Sequence, residues 1–198
     1  IVAFGEYIDL SKVGKHIEPE ELKSMLDNKE KIVLLDARDK IEYNIGRFKN
    51  AITLPINNFR EFPKFVNVLE PYKNEKIVTY CTGGVRCEKS SAFLKQNGFE
   101  NVYQLKGGII DFIKKFPNTY FEGSCFVFDD RLTASNGNPI TICEHCGNKS
   151  DKYINCHNLN CDRLFVCCGK CERKSNYCCS DGCKTSERQR EKIAVVAG

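Results

Sequence analysis

The chain has 198 residues, 41% of them hydrophobic, and a formal net charge of +4 at pH 7. That length accommodates one full domain and a small second one. No apolar run approaches the roughly 18 residues that a membrane-spanning helix needs, which argues against membrane-embedded functions.

The opening residues Ile1-Val2-Ala3-Phe4-Gly5 read as part of a strand. Residues 1–14 are therefore expected to be the end of a truncated N-terminal domain and its linker. At Glu18-Pro19-Glu20-Glu21 a proline and acids in the first turn start a helix with Leu22, Met25 and Leu26 on one face. Residues 31–35 form an apolar, β-branched run, a buried strand with Asp36 following it. A short strand over 52–54 closes at Pro55. Residues 59–72 read as partly helical, interrupted by Pro63 and Pro71, with Arg60 a solvated surface charge in preference to a substrate-facing one. Ile77, Val78 and Tyr80 mark a core strand over 76–80. Ala92, Phe93 and Leu94 belong to a helix that stops at Asn97-Gly98. Residues 102–105 give another strand, and Gly107-Gly108 leads into a helix carrying Ile109, Phe112, Ile113 and Phe116. A last strand is expected over 125–128, ended by Asp129-Asp130-Arg131, with Cys125 as a small core residue. Asn136-Gly137-Asn138-Pro139 is turn chemistry and marks a domain boundary. Alternating strands and helices predict an α/β domain, a mainly parallel sheet with helices on both faces.

Between the strand at 76–80 and its helix lies Cys81-Thr82-Gly83-Gly84-Val85-Arg86, with Cys87 expected to open the helix. Amide groups of such a loop and of a helix N-terminus lower a thiol pKa and stabilise anions. Gly83 and Gly84 let the backbone curl inward, and Arg86 adds a fixed positive charge. The pattern predicts a cradle for a thiolate and an anionic reaction centre. In parallel sheets the carboxyl ends of strands form the ligand crevice, so Asp36, Arg38 and Cys81 share one edge. Asp36 and Arg38 suit an internal ion pair as well as a substrate contact.

Cys-Thr-Gly-Gly-Val-Arg resembles the active-site loop of a rhodanese-like domain. Leu34-Leu35-Asp36-Ala37-Arg38 resembles that family's strand ending in Asp-x-Arg, with Glu42 as the acidic residue soon after. The stretch 46–55 resembles its Gly-His-Ile-x-Gly-Ala segment, with Arg47 in place of histidine, and 105–109 its closing Gly-Gly turn. Together with Phe59-Arg60-Glu61-Phe62-Pro63 and CFVFDDR at 125–131, CTGGVRCEKS resembles the oxygen-dependent tRNA uridine hydroxylases. The resemblance covers about residues 15–135, with a cysteine-rich tail behind it.

Thirteen cysteines in a small secreted protein would suggest disulfides. Ten of them fall between Cys143 and Cys183, beside a domain that resembles a cytosolic enzyme, so metal binding in a reducing compartment is the better reading. The knuckle-like groups are Cys143 and Cys146, Cys156 and Cys161, Cys167-Cys168 and Cys171, and Cys178-Cys179 and Cys183. Four such groups with little apolar core point to about two structural Zn²⁺ ions. Cys143, Cys146, Cys168 and Cys171 as one site, and Cys156, Cys161, Cys179 and Cys183 as the other, is an interleaved arrangement; a sequential one is the alternative. Which member of each Cys-Cys doublet binds is left open, as is His157. Eight thiolates around two Zn²⁺ would cancel the formal charge of +4, so any attraction to RNA must come from local patches.

The expected organisation is a catalytic domain over 15–135, a linker over 136–142, a zinc-binding domain over 143–183 and a charged, solvated tail over 184–198. A rhodanese-related phosphatase needs five residues between loop Cys and Arg; four separate Cys81 from Arg86, which excludes that class. A sulfurtransferase carrying a persulfide on Cys81 is the enzymatic alternative, and a non-catalytic zinc scaffold a third. The resemblance implies an oxidoreductase that hydroxylates C5 of the wobble uridine, position 34 of tRNA, with O₂ as co-substrate. It implies Cys81 and Arg86 as catalytic residues and Asp36, Arg38, Glu42 and Arg47 as supporting ones. Cys87 would either help reduce a peroxide intermediate or pack as a small residue. No haem or flavin motif is visible. A cytoplasmic protein with tRNA as partner, no membrane and no stable protein partner is expected.

Overall fold

The computed structural model describes residue 4 and residues 7–127, 133–134 and 138–191. In chain order the first domain contains β1 (Lys15–Ile17), α1 (Pro19–Asp27), β2 (Ile32–Asp36), α2 (Lys40–Ile45), β3 (Gly46–Phe48) and β4 (Ile52–Thr53). A long 3-10 segment (Phe59–Tyr72) leads to β5 (Lys76–Tyr80), α3 (Val85–Gln96), β6 (Val102–Leu105), α4 (Gly108–Lys115), β7 (Phe121–Gly123), β8 (Cys125–Phe126) and β9 (Thr133–Ala134). Five strands build the central sheet in the order β1-β6-β5-β2-β4, and every neighbouring pair is parallel.

The alternation of side chains along β5 explains why this strand is central. Val78 and Tyr80 face one layer with Leu22 and Met25 of α1 and Ile109 and Phe112 of α4. Ile77 faces the other with Phe93 and Leu94 of α3 and Phe59, Phe62 and Leu69 of the 3-10 segment. A strand covered on both faces has no polar side, as its apolar run requires. The two layers are the helices expected on both faces of the sheet. Phe48 of β3 packs edge-on against Tyr80, Phe112 and Phe121, closing the first layer beneath an antiparallel β3–β7 ribbon.

Several boundaries differ from the sequence-based reading. Asp36 is the last residue of β2, and the helix after the loop opens at Val85, not Cys87. Gly84 adopts φ +94° as the N-cap, so the turn is complete before Val85. The expected strand over 125–128 is described only as Cys125–Phe126; Phe128, Asp129-Asp130-Arg131, the expected turn residues Asn136-Gly137 and the opening Ile1-Val2-Ala3 lie outside the described residues.

In the second domain β10 (Tyr153–Asn155) pairs antiparallel with β11 (Leu164–Val166), followed by α5 (Gly169–Lys174) and α6 (Asp181–Lys184). Its core is Phe165 surrounded by Cys143, Cys156, Cys167 and Cys178. The stretch after 184 is not wholly solvated. The amide of Leu159 donates to Arg188 O (2.9 Å) and that of Arg190 to His157 O (2.6 Å). The Gln189 side chain caps the carbonyls of Cys183 and Ser186. Residues 192–198 lie outside the described residues.

Candidate active site and metal centres

Cys81 follows directly after β5 and is only 2% exposed. The Gly84 amide donates to its sulfur at 3.1 Å. Its thiol is held down to about 6 from an ordinary 9.0, first because the Cys87 thiol hydrogen-bonds to it. Burial opposes ionisation, while the Arg86 charge and the amides of Arg86 and Gly84 favour it. Cys87 is fully buried, and burial together with the hydrogen bond to Cys81 pushes its own thiol well above 9.0. One sulfur is thus the anion and the other keeps its proton and donates. Alkylation of Cys81 is therefore expected to follow a single titration with a midpoint near 6. Peptide-resolved iodoacetamide labelling across pH checks this; a midpoint near the ordinary thiol value would remove the thiolate.

Two buried ion pairs brace the loop. Arg86 donates to both carboxylate oxygens of Glu42, at 2.5 and 2.6 Å, and its Nη2 lies 3.4 Å from Thr82 Oγ1. Burial alone would raise the Glu42 carboxyl, but Arg86 outweighs it and holds the group below its ordinary value. The Thr82 hydroxyl lies 3.2 Å from Glu42 Oε1 and 3.4 Å from Phe126 O. Arg38 and Asp36, both fully buried, form the second pair, with Arg38 also donating to Gly46 O at 2.6 Å. These two residues make an internal brace, not a surface open to a substrate. Arg47 does not join this network: it sits on β3, 3.7 Å from Glu122, and donates to Tyr43 O. A longer side chain on that strand reaches the ribbon's edge instead of the loop. Asp39 was missed from sequence: it caps α2 in a capping box with Glu42, and Asp-x-x-Glu was the available signal.

The N-terminus of α4 supports the loop from below. The amide of Ile109 donates to Cys81 O at 2.9 Å and that of Ile110 to Thr82 O at 3.2 Å. Such close approach requires Gly108, which has φ +63° and where a Cβ would sit 2.4 Å from Cys81 O. Gly108→Ala is expected to cost on the order of 2 kcal/mol, from strain and steric conflict combined. Urea unfolding checks it, and an unchanged midpoint would show that the turn can move aside. Within the loop Gly83 and Val85, the latter 62% exposed, face solvent and Gly84 is half-buried.

The structure brings the cysteine sulfurs together in two groups. Cys143, Cys146, Cys168 and Cys171 form one, and Cys156, Cys161, Cys179 and Cys183 the other, with all sulfurs of a group within 4.8 Å of one another. The arrangement is interleaved. Sulfur contacts of 3.7–3.8 Å are far beyond a disulfide bond of about 2.05 Å and equal the edge of about 3.8 Å expected of a tetrahedral thiolate site. Each group therefore fits a metal ion. Cys167 and Cys178 instead point into the core beside Phe165, and His157 stacks on Tyr177 at 4.7 Å. Among the described residues no helix is long and apolar enough to cross a membrane.

A parallel sheet with a thiolate loop at its carboxyl edge defines a rhodanese-like domain. Residues 18–115 match the rhodanese-like domain model and residues 122–184 the Rhodanase C-terminal model. The chain is 44% identical over 190 residues to the tRNA uridine(34) hydroxylase of Cytophaga hutchinsonii, and 42% over 184 residues to that of Buchnera aphidicola. These alignments cover 93% and 90% of this chain but 61% and 59% of those proteins. A solved rhodanese-like domain from Anabaena sp. is 26% identical, with a TM-score of 0.47, over 56% of this chain and 80% of that one. Residues 18–115 thus carry a rhodanese-like domain, and the chain is similar across that domain and its cysteine-rich region to proteins named tRNA uridine(34) hydroxylases.

Proposed function

We propose that this chain is the catalytic part of an oxygen-dependent oxidoreductase that hydroxylates C5 of uridine 34 in tRNA. The observation that carries the reading is that relatives named for this reaction align over both the loop domain and the cysteine-rich domain, over 93% of the chain in the first case. The loop supports it chemically. The Cys81 thiolate adds to C6 of the uracil ring, and the electron pair moves onto the C4 carbonyl as an enolate. Loop amides stabilise that charge, with Arg86 held in place by Glu42. The enolate carbon C5 bonds to O₂ to give a C5 hydroperoxide, an external thiol-class reductant supplies the two electrons that break its O–O bond and release water, and loss of the C5 proton with departure of Cys81 restores the ring. The net reaction, uridine plus O₂, two electrons and two protons giving 5-hydroxyuridine and water, requires a thiol-class reductant from outside.

The two thiolate clusters hold structural Zn²⁺ in this reading, with all four positions filled by cysteine and none open for catalysis. The domain division over 15–135 and 143–183 and a cytoplasmic location belong to the same proposal. Nucleoside mass spectrometry of tRNA from a deletion strain tests it. The wild-type gene is expected to restore 5-hydroxyuridine derivatives at position 34; their presence in the deletion strain at wild-type levels would overturn the reading. A persulfide on Cys81 without change in tRNA would favour the sulfurtransferase alternative.

A further inference from the structure

Among the described residues, Tyr153 of the second domain touches two segments of the first, Phe126 and α2, that adjoin the groups holding the Cys81 loop. Tyr153 opens β10, where it is paired with Val166, one residue before the Cys167-Cys168 doublet. Its ring packs edge-on against Phe126, with centroids 6.0 Å apart and planes at 71°. The carbonyl of Phe126 faces the Thr82 hydroxyl at 3.4 Å. On its other side the Tyr153 hydroxyl donates to Ile41 O on α2, a long bond of 3.4 Å. The next residue of α2 is Glu42, whose carboxylate carries Arg86 and Thr82. Nearby, the Ser124 hydroxyl donates to Asp151 at 2.5 Å and fixes how β10 meets β8.

We propose that Tyr153 is a positioning residue: it wedges between Phe126 and α2, and so couples the metal-binding domain to the geometry of the Cys81 loop. The physical argument is one of register. The two oxygens of Glu42 serve four donors, two from Arg86, one from Thr82 and the Asp39 amide, so a small shift of α2 costs at least one bond to Arg86 or Thr82. Thr82 has one proton and two acceptors in reach, and a shift of Phe126 removes the second. Each change moves the amides and the charge that stabilise the Cys81 anion. Ring packing supplies most of the brace, because a 3.4 Å hydroxyl bond is at the outer limit for such contacts. The metal clusters enter only as the scaffold that keeps β10 in place.

The inference rests on Cys81 acting as a thiolate, and the test separates the two. Peptide-resolved alkylation of Cys81 is followed across pH in the full chain, with metal content measured in parallel. Wild type shows whether the thiolate exists. Tyr153→Ala and Tyr153→Leu are expected to keep their metal while Cys81 alkylation at pH near 6 slows about threefold and the midpoint rises. Tyr153→Phe retains the ring and is expected to stay near wild type. A wild-type profile in both the alanine and leucine variants overturns the proposal. So does a shift seen only in variants that have lost metal, which would assign the effect to folding of the second domain and not to Tyr153.

Discussion

Cys81→Ser protein is expected to fold as the wild type does and to form no 5-hydroxyuridine. Serine fills nearly the same volume in a site that is only 2% exposed, and its oxygen can still accept from the Gly84 amide. What disappears is the anion: a hydroxyl does not ionise under conditions where the thiol titrates near 6. Loss of the covalent step is expected to lower the rate by at least about a thousandfold, or roughly 4 kcal/mol. A stability signature accompanies it. The folded-state thiol lies below its ordinary 9.0, so the thiolate adds stability that is complete above pH 9 and lost as pH falls towards 6. The variant should therefore melt below wild type at pH 8 and approach it at pH 5.5. Nucleoside mass spectrometry and thermal unfolding at the two pH values check both parts. Wild-type levels of the modified nucleoside in the mutant would end the assignment of Cys81 as nucleophile.

The loop itself was legible because its chemistry is local. Cys81 through Arg86 are consecutive, the strand before them is β-branched, and two glycines announce the turn. The partner of Arg86 was harder to read. Glu42 lies 44 residues earlier, and only the parallel pairing of β2 with β5 brings α2 beside the loop. The same long-range pairing makes Arg86 half of a buried ion pair, where the sequence alone showed only a fixed positive charge at the loop. Arg47 shows the opposite failure: its place in the motif was clear, yet the β3–β7 ribbon turns it towards Glu122. For the Cys167-Cys168 doublet, which follows β11, the deciding fact is strand alternation. Phe165 and Cys167 share the inward face, which leaves Cys168 for the cluster. The backbone pairing of residues 188–190 had no sequence signal, because its side chains are charged or polar and its contacts are mostly main-chain.

Removal of metal is expected to unfold the second domain and leave the first intact. Of the large apolar residues between 143 and 183, Phe165 and Val166 are buried, whereas Leu159 is 43% exposed. Such a core cannot offset ordering costs of about 1.5 kcal/mol per residue. A structural zinc site contributes on the order of 10 kcal/mol, and the protein is expected to carry close to two ions. The first domain has its own two-layered core around β5, so it does not depend on the clusters for folding. A strong chelator should therefore release metal and expose residues 143–183 to proteolysis, while a fragment containing Cys81 resists digestion. If Tyr153 braces the loop, Cys81 in that fragment should still alkylate, but with its midpoint displaced upwards. Cysteine-to-serine changes divide the two clusters: Cys156→Ser should lose one metal equivalent, and Cys143→Ser the other. Protein prepared under reducing conditions that contains no zinc, or that resists proteolysis equally with and without chelator, would show that the sulfur clusters do not hold the domain together.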